Sequence, residues 1–147
     1  MKFLFLYWNH PVEPLGLMYL SAILKKNGHE TKMGVIGGEK DLSLVVSEYK
    51  PDVVAASVMT GSHTEFMSIV KELKKRHSFT SLMGGSHPTF HPDVLEEFPE
   101  LDIIVQGEAE GKVWTGGSRV ICCEFIFRVD ANTADAGVHL IGVSGWD

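Results

Sequence analysis

The sequence predicts an α/β protein, a three-layer sandwich around a doubly wound, five-stranded parallel sheet. Three observations carry that prediction. Short apolar runs alternate with amphipathic segments from residue 1 to about residue 106. One of the runs, Val53 to Val58, is almost continuously apolar, the pattern of a strand covered on both faces. Gly and Pro punctuate the boundaries, as at Gly28, Pro51 and Gly84-Gly85.

The elements follow in order. Phe3, Leu4, Phe5, Leu6 and Tyr7 form the first strand, which ends at Asn9, His10 and Pro11. Pro14 to Asn27 is a helix with Leu17, Leu20, Ile23 and Leu24 on one face. Gly28, just beyond the pair Lys25-Lys26, is its stop. Thr31 to Ile36 is the second strand. Leu42, Val45, Val46 and Tyr49 recur at helical spacing and mark the second helix. Val53 to Val58 is the third strand. Ser62 and Glu65 match a capping box, with Phe66, Ile69, Val70 and Leu73 as the buried face of a third helix. Its last turn, Lys74, Lys75 and Arg76, complements the helix dipole. Thr80 to Met83 is the fourth strand. Pro92 to Phe98 is a short fourth helix with Pro at its first turn. Leu101 to Val105 is the fifth strand. Alternating β and α units of this kind give parallel, right-handed crossovers. The strand count matches the flavodoxin-like order 2-1-3-4-5.

After Gly111 the character changes. All six prolines lie within residues 1–99. Residues 112–147 have no clear helical period and two strand-like stretches, Arg119 to Val129 and Gly137 to Val143. The expected division is therefore an α/β domain over 1–111 and an atypical tail over 112–147, either a hairpin or a segment foreign to the domain.

Composition narrows the function. With 147 residues, 44% hydrophobic and 22% charged, the chain is long enough to bury a core. The net charge of −6 argues against a nucleic-acid partner, which selects a basic face. No stretch reaches the roughly 18 apolar residues of a membrane span. The run from Phe3 to Trp8 is too short for the core of a signal peptide. Cys122 and Cys123 are adjacent, and their Cα atoms, about 3.8 Å apart, are too close for a relaxed disulfide. A reducing, cytoplasmic setting is expected.

Ligands of open α/β sheets bind beyond the carboxyl ends of the strands. Five loops are thereby nominated: Trp8–Glu13, Gly37–Glu39, Met59–His63, Gly85–His91 and Gln106–Gly111. They hold His10, His63, His87 and His91, with the small or hydroxylated residues Thr60, Gly61, Ser62, Ser86 and Thr89. Small residues at strand ends let backbone approach a ligand, and hydroxyls offer it hydrogen bonds. No carboxylate or thiolate spacing supports a metal site built by the histidines, and none is assigned. His29 and His77 fall at helix ends and are read as capping cations. The glycine pairs lack a nucleotide-binding context, and no catalytic constellation is evident from spacing.

Four blocks resemble a known family. Pro14-Leu15-Gly16-Leu17-Met18-Tyr19-Leu20-Ser21-Ala22-Ile23-Leu24-Lys25-Lys26-Asn27-Gly28-His29-Glu30 is similar to the opening of the cobalamin (B12)-binding domains found in B12-dependent radical S-adenosylmethionine (SAM) enzymes, the group that includes Mg-protoporphyrin monomethyl ester cyclases. Pro51-Asp52-Val53-Val54 with Ser57-Val58-Met59-Thr60, then Gly84-Gly85-Ser86-His87-Pro88-Thr89, then Asp102 to Glu110, are similar to that family's later blocks, in the same order and spacing. The resemblance covers residues 1–111.

It implies a cobalamin-binding module whose strand ends hold the corrin ring. The implied cofactor contacts are Ser57, Met59, Thr60, Gly61, Gly84, Gly85, Ser86, His87, Gly107 and Glu108. It also implies a downstream radical SAM domain with a 4Fe-4S cluster. The C-x-x-x-C-x-x-C motif of such a domain is absent from this sequence, so SAM and the cluster are expected outside it. The parent protein would be an oxidoreductase or methyltransferase, and this chain alone non-catalytic. The loop Asn9-His10-Pro11-Val12-Glu13 departs from the D-x-H-x-x-G of classical B12 modules, so the cobalt-ligating role is not transferred to His10. The lower face of the cobalt is left to water, to another side chain or to nothing. The competing reading is a cofactor-free scaffold or substrate-gating domain of a radical SAM protein. A flavin or receiver module is weaker, since neither an acidic pair with a phosphoacceptor Asp nor a hydroxyl-rich phosphate loop is present.

Overall fold

The computed structural model describes residues 1–11, 13–107 and 120–122. Strands β1 (Lys2–Trp8), β2 (Glu30–Ile36), β3 (Val53–Ser57), β4 (Thr80–Gly84), β5 (Ile103–Gln106) and β6 (Val120–Cys122) alternate with helices α1 (Leu15–Lys26), α2 (Leu42–Tyr49), α3 (His63–Lys74), α4 (Ser86–Phe90) and α5 (Val94–Glu97). The sheet runs β2-β1-β3-β4-β5-β6, and every pairing is parallel. The first five strands take the order read from the sequence. Within the tail, Val120–Cys122 lies as a sixth parallel strand beside β5. The rest of 112–147, including Gly137 to Val143, lies outside the described residues.

The sheet buries two cores. On one face Leu4, Leu6, Val54, Ala56, Met83 and Ile104 meet Val45 and Val46 of α2, Phe66, Met67, Val70 and Leu73 of α3, and Val94 and Leu95 of α5. On the other, Phe3, Phe5, Val53, Ala55 and Leu82 meet Leu17 and Leu24 of α1. The alternation of side chains along each strand sorts them this way. Toward the carboxyl end of this second face stand Tyr7, Ser57, Gly84 and Val105. Tyr7, Ile103 and Val105 are half-buried there, whereas Ile104 on the opposite face is fully buried.

Local chemistry sets the boundaries. Pro14 sits at the N-cap of α1, and Gly28 follows the helix at φ 81°, so the predicted stop holds. Asp41 caps α2 by accepting the Ser43 N–H at 2.8 Å. The capping box at α3 does not form. The Ser62 hydroxyl donates to the Met59 carbonyl, and Glu65 instead accepts the Trp8 indole N–H at 2.6 Å. That bond fastens the end of β1 to the first turn of α3.

The segment read as one helix over Pro92 to Phe98 contains only Val94–Glu97, and an additional short helix, α4, precedes it. Pro88 is compatible with α4 because first-turn N–H groups have no acceptor inside their own helix. His29 and His77 stand at the ends of α1 and α3, where their backbone N–H groups donate to the Leu24 and Leu73 carbonyls, each at 3.0 Å. The His29 ring lies edge-on to Phe3, with centroids 5.6 Å apart, and the Nε2 of His77 is buried.

The opposite end of the sheet is held by charge. Asp102 accepts the Ser81 N–H at 2.7 Å and the Ser81 hydroxyl at 2.9 Å, and it pairs with Lys74. Burial pushes the Asp102 carboxyl up, but Lys74 and the two Ser81 donors outweigh it, and its pKa lies below the ordinary value.

Candidate functional site

The candidate site is the rim where β1, β3, β4 and β5 deliver their carboxyl ends. Parallel register brings Ser57 of β3 directly beside Gly84 of β4. Ser57 is exposed, and so are Met59, Thr60 and Gly61 in the loop that follows it. Ser86 is exposed after β4, and Gly107 after β5. Gly61 and Gly107 have φ of 102° and 81°, and a Cβ built on either meets nothing within 4 Å. These loops therefore expose small side chains and backbone to the space beyond the sheet. Glu108 lies outside the described residues.

The two glycines after β4 do different things. A Cβ on Gly84 would lie 3.8 Å from the Cβ of Val105 and 3.9 Å from the Ala56 carbonyl oxygen, both ordinary contacts. Gly84 thus stands on the second face of the sheet, paired with Ser57, where a Cβ would displace none of its neighbours. A Cβ on Gly85 would lie 2.7 Å from the Val58 N, 2.8 Å from its O and 2.9 Å from the Ser57 Oγ. Gly85 is needed by the chain itself. It lets the β4 loop press on the β3 loop, where Val58 N–H donates to Gly84 O at 2.7 Å and His87 N–H to Val58 O at 3.0 Å.

His87 is also drawn inward. It is only 5% exposed. Its Nδ1 lies 3.1 Å from the Thr60 hydroxyl oxygen. Its ring stacks on His63, centroids 3.8 Å apart and planes at 13°, and on His91 at 5.2 Å and 29°. Burial, then the neighbouring His63 and His91, push the His87 pKa below its ordinary value, against the opposing pull of Glu97 and Asp93. Sequence spacing placed these three histidines on adjoining loops but could not show that their rings form a column. Rings stacked face to face turn their nitrogens away from a common point. Among the described residues no group of three or more His, Cys, Asp or Glu is arranged to hold a metal ion. His10 is exposed beyond β1, and its backbone N–H donates to the Trp8 carbonyl at 2.8 Å.

Thr89 is a residue that sequence reasoning left in the background. Its hydroxyl donates to the Gly85 carbonyl at 2.7 Å and accepts the Gly107 N–H at 2.9 Å. It therefore ties the β4 loop to the β5 loop. The sequence had marked it only as one hydroxyl in the loop after β4.

An open parallel α/β sheet with small residues at adjoining strand ends is the doubly wound arrangement, in which ligands bind beyond those ends. The chain matches the B12 binding domain family over residues 1–113, and it belongs to that family. It is 32% identical over 106 residues to an anaerobic magnesium-protoporphyrin IX monomethyl ester cyclase of Rubrivivax gelatinosus, covering 66% of this chain and 19% of that one. It is 33% identical over 107 residues to the enzyme of the same name from Cereibacter sphaeroides, covering 66% and 17%. A cytidylyl-2-hydroxyethylphosphonate methyltransferase of Streptomyces wedmorensis is 27% identical over 121 residues, covering 66% and 22%. The chain thus spans about a fifth of the length of these relatives. Among the described residues, no helix is long and apolar enough to cross a membrane.

Proposed function

We propose that this rim holds cobalamin, and that the domain presents it to a radical SAM catalytic domain of the same parent protein. Membership of the B12 binding domain family supports cobalamin as the ligand. The observation that carries the placement is the Ser57–Gly84 pair, an exposed hydroxyl beside a side-chain-free position at the strand ends. A planar macrocycle with a pendant nucleotide needs backbone that it can approach and donors at its edge. Ser57 and Thr60 offer hydroxyls. Gly84 leaves room for the nucleotide tail. Gly61, Ser86 and Gly107 expose backbone around the ring, and Met59, 66% exposed, adds an apolar contact. Bound cobalamin would supply a cobalt centre able to carry a methyl group. Gly85 and His87 support the site from within rather than by touching the ligand.

The radical SAM partner rests on the four sequence blocks described above, and SAM and a 4Fe-4S cluster would belong to that partner. A cytoplasmic location fits a sequence whose two cysteines are adjacent. The parent's reaction would be a methyl transfer or a related radical oxidoreduction. The functional domain would be residues 1–111, with 112–147 as an addition to it.

The test is to add hydroxocobalamin to the purified chain, separate by gel filtration and record the visible spectrum of the protein peak. Co-elution supports the proposal, and a folded protein peak without corrinoid overturns it for this chain. A scaffold role is the alternative. It is favoured by one observation, the commitment of Gly85 and His87 to contacts within the chain.

A further inference from the structure

The column of His63, His87 and His91 joins elements that carry the rim. His63 opens α3 and its Nδ1 accepts the Gly61 N–H at 3.3 Å, while Phe98 lies edge-on to its ring at 6.3 Å. His87 belongs to α4 and His91 follows it, with the His91 backbone N–H donating to the His87 carbonyl at 2.8 Å. His87 grips the loop after β3 in three ways: its N–H on Val58 O, its ring on the Thr60 hydroxyl, and its face on His63. Its Nε2 is buried and has no hydrogen-bond partner among the described residues.

We propose that this column is a proton-operated clamp, closed while the buried His87 imidazole is neutral and opened when acid charges it. A neutral imidazole carries one N–H, which the Thr60 oxygen can accept, and leaves Nε2 a bare lone pair. Protonation places a second N–H and a positive charge in a buried position with no acceptor. It also sets that charge against the stacked His63 and His91 rings, which disfavour it. The acidic groups facing the column are Asp93, just before α5, and Glu97 at its end, and both favour the charged form. Burial and the two flanking histidines outweigh them.

The sign follows. A histidine whose folded pKa is depressed contributes stability above its unfolded value, about 6.5, and loses it as pH falls through the folded value. Opening the column would part the loops bearing Met59–Ser62 and Gly85–Ser86. Their grip on cobalamin would then weaken in acid, a consequence that rests on the proposed function.

The experiment follows the histidine Cε1–H resonances of the ligand-free chain by two-dimensional NMR as pH is lowered from about 7.5 to about 5. The resonance that vanishes in His87→Gln should titrate below the ordinary histidine range. Its midpoint should rise in the double variant His63→Gln/His91→Gln. The thermal midpoint of the wild type should fall across this range, and that fall should shrink in His87→Gln. Should His87→Gln fail to fold, the double variant, changed only at the flanking rings, carries the same comparison. A His87 that titrates in the ordinary range or above it overturns the clamp, as does an acid sensitivity that persists in both variants. A parallel series measures retention of hydroxocobalamin. Retention that is lost in acid by the wild type, with a pH midpoint that moves in the double variant His63→Gln/His91→Gln, supports the clamp at the ligand site. Retention independent of pH overturns that coupling. Normal clamp titration with no corrinoid bound at any pH supports the clamp and overturns the cobalamin reading.

Discussion

Replacing Gly85 by Ala puts a methyl group where the chain has no room. The new Cβ would lie under 3.0 Å from the Val58 N, the Val58 O and the Ser57 Oγ. The first two are backbone atoms, so neither can rotate away. Gly85 also has φ 98° and ψ −167°, a region open essentially to glycine alone, where another residue costs about 1–3 kcal/mol. Relief of the clash requires moving the β4 loop off the β3 loop. That move stretches two hydrogen bonds, Val58 N–H to Gly84 O and His87 N–H to Val58 O, each worth about 1 kcal/mol. The sum is about 3–5 kcal/mol, a large part of the 5–15 kcal/mol typical of a domain. Urea denaturation followed by tryptophan fluorescence and circular dichroism reads this directly as a drop in midpoint at constant slope. A Gly85→Ala protein within about 1 kcal/mol of wild type would refute the packing account of this loop.

Other outcomes follow from the same contacts. Gly84→Ala should change stability by less than about 1 kcal/mol, because its Cβ meets only ordinary contacts, and urea midpoints check it. Phe66→Ala empties a fully buried site between α3 and the sheet and should cost about 3–5 kcal/mol in the same assay. Asp102→Asn should destabilise at neutral pH. The deficit should narrow as pH falls through the carboxylate range, since a depressed carboxyl contributes its stability only above that range; stability curves at several pH values test the convergence. Trp8→Phe removes the indole N–H from Glu65 and should cost about 0.5–1.5 kcal/mol, with a similar loss in Glu65→Ala and no further loss in the double variant.

The sheet was legible because its central strands β1 and β3 are apolar on both faces and its breaks are chemically marked. Val53 to Val58 could be little else, and Gly28 stops α1 where a positive φ was expected. The ends of elements were read less well where side chains found distant partners. Ser62 and Glu65 have the spacing of a capping box, yet Glu65 bonds to Trp8, 57 residues away in sequence. Helix α4 escaped notice because five residues, Ser86 to Phe90, cannot display a helical period.

The site residues show the same division. Ser57 and Gly84 stand side by side because strand register follows from the core pattern. Gly85 and His87 belong to the same sequence block, but packing turned them toward their own chain. Local sequence does not encode a glycine that relieves Val58 or a histidine that stacks on His63, because both depend on how the β3 and β4 loops cross.

The most direct measurement is visible absorbance of the protein peak after gel filtration with hydroxocobalamin, for the wild type and for Gly84→Val, with circular dichroism confirming that both are folded. The account predicts corrinoid absorbance travelling with the wild type and missing from the variant. A folded wild type that elutes colourless, or a variant that keeps the same absorbance, contradicts it.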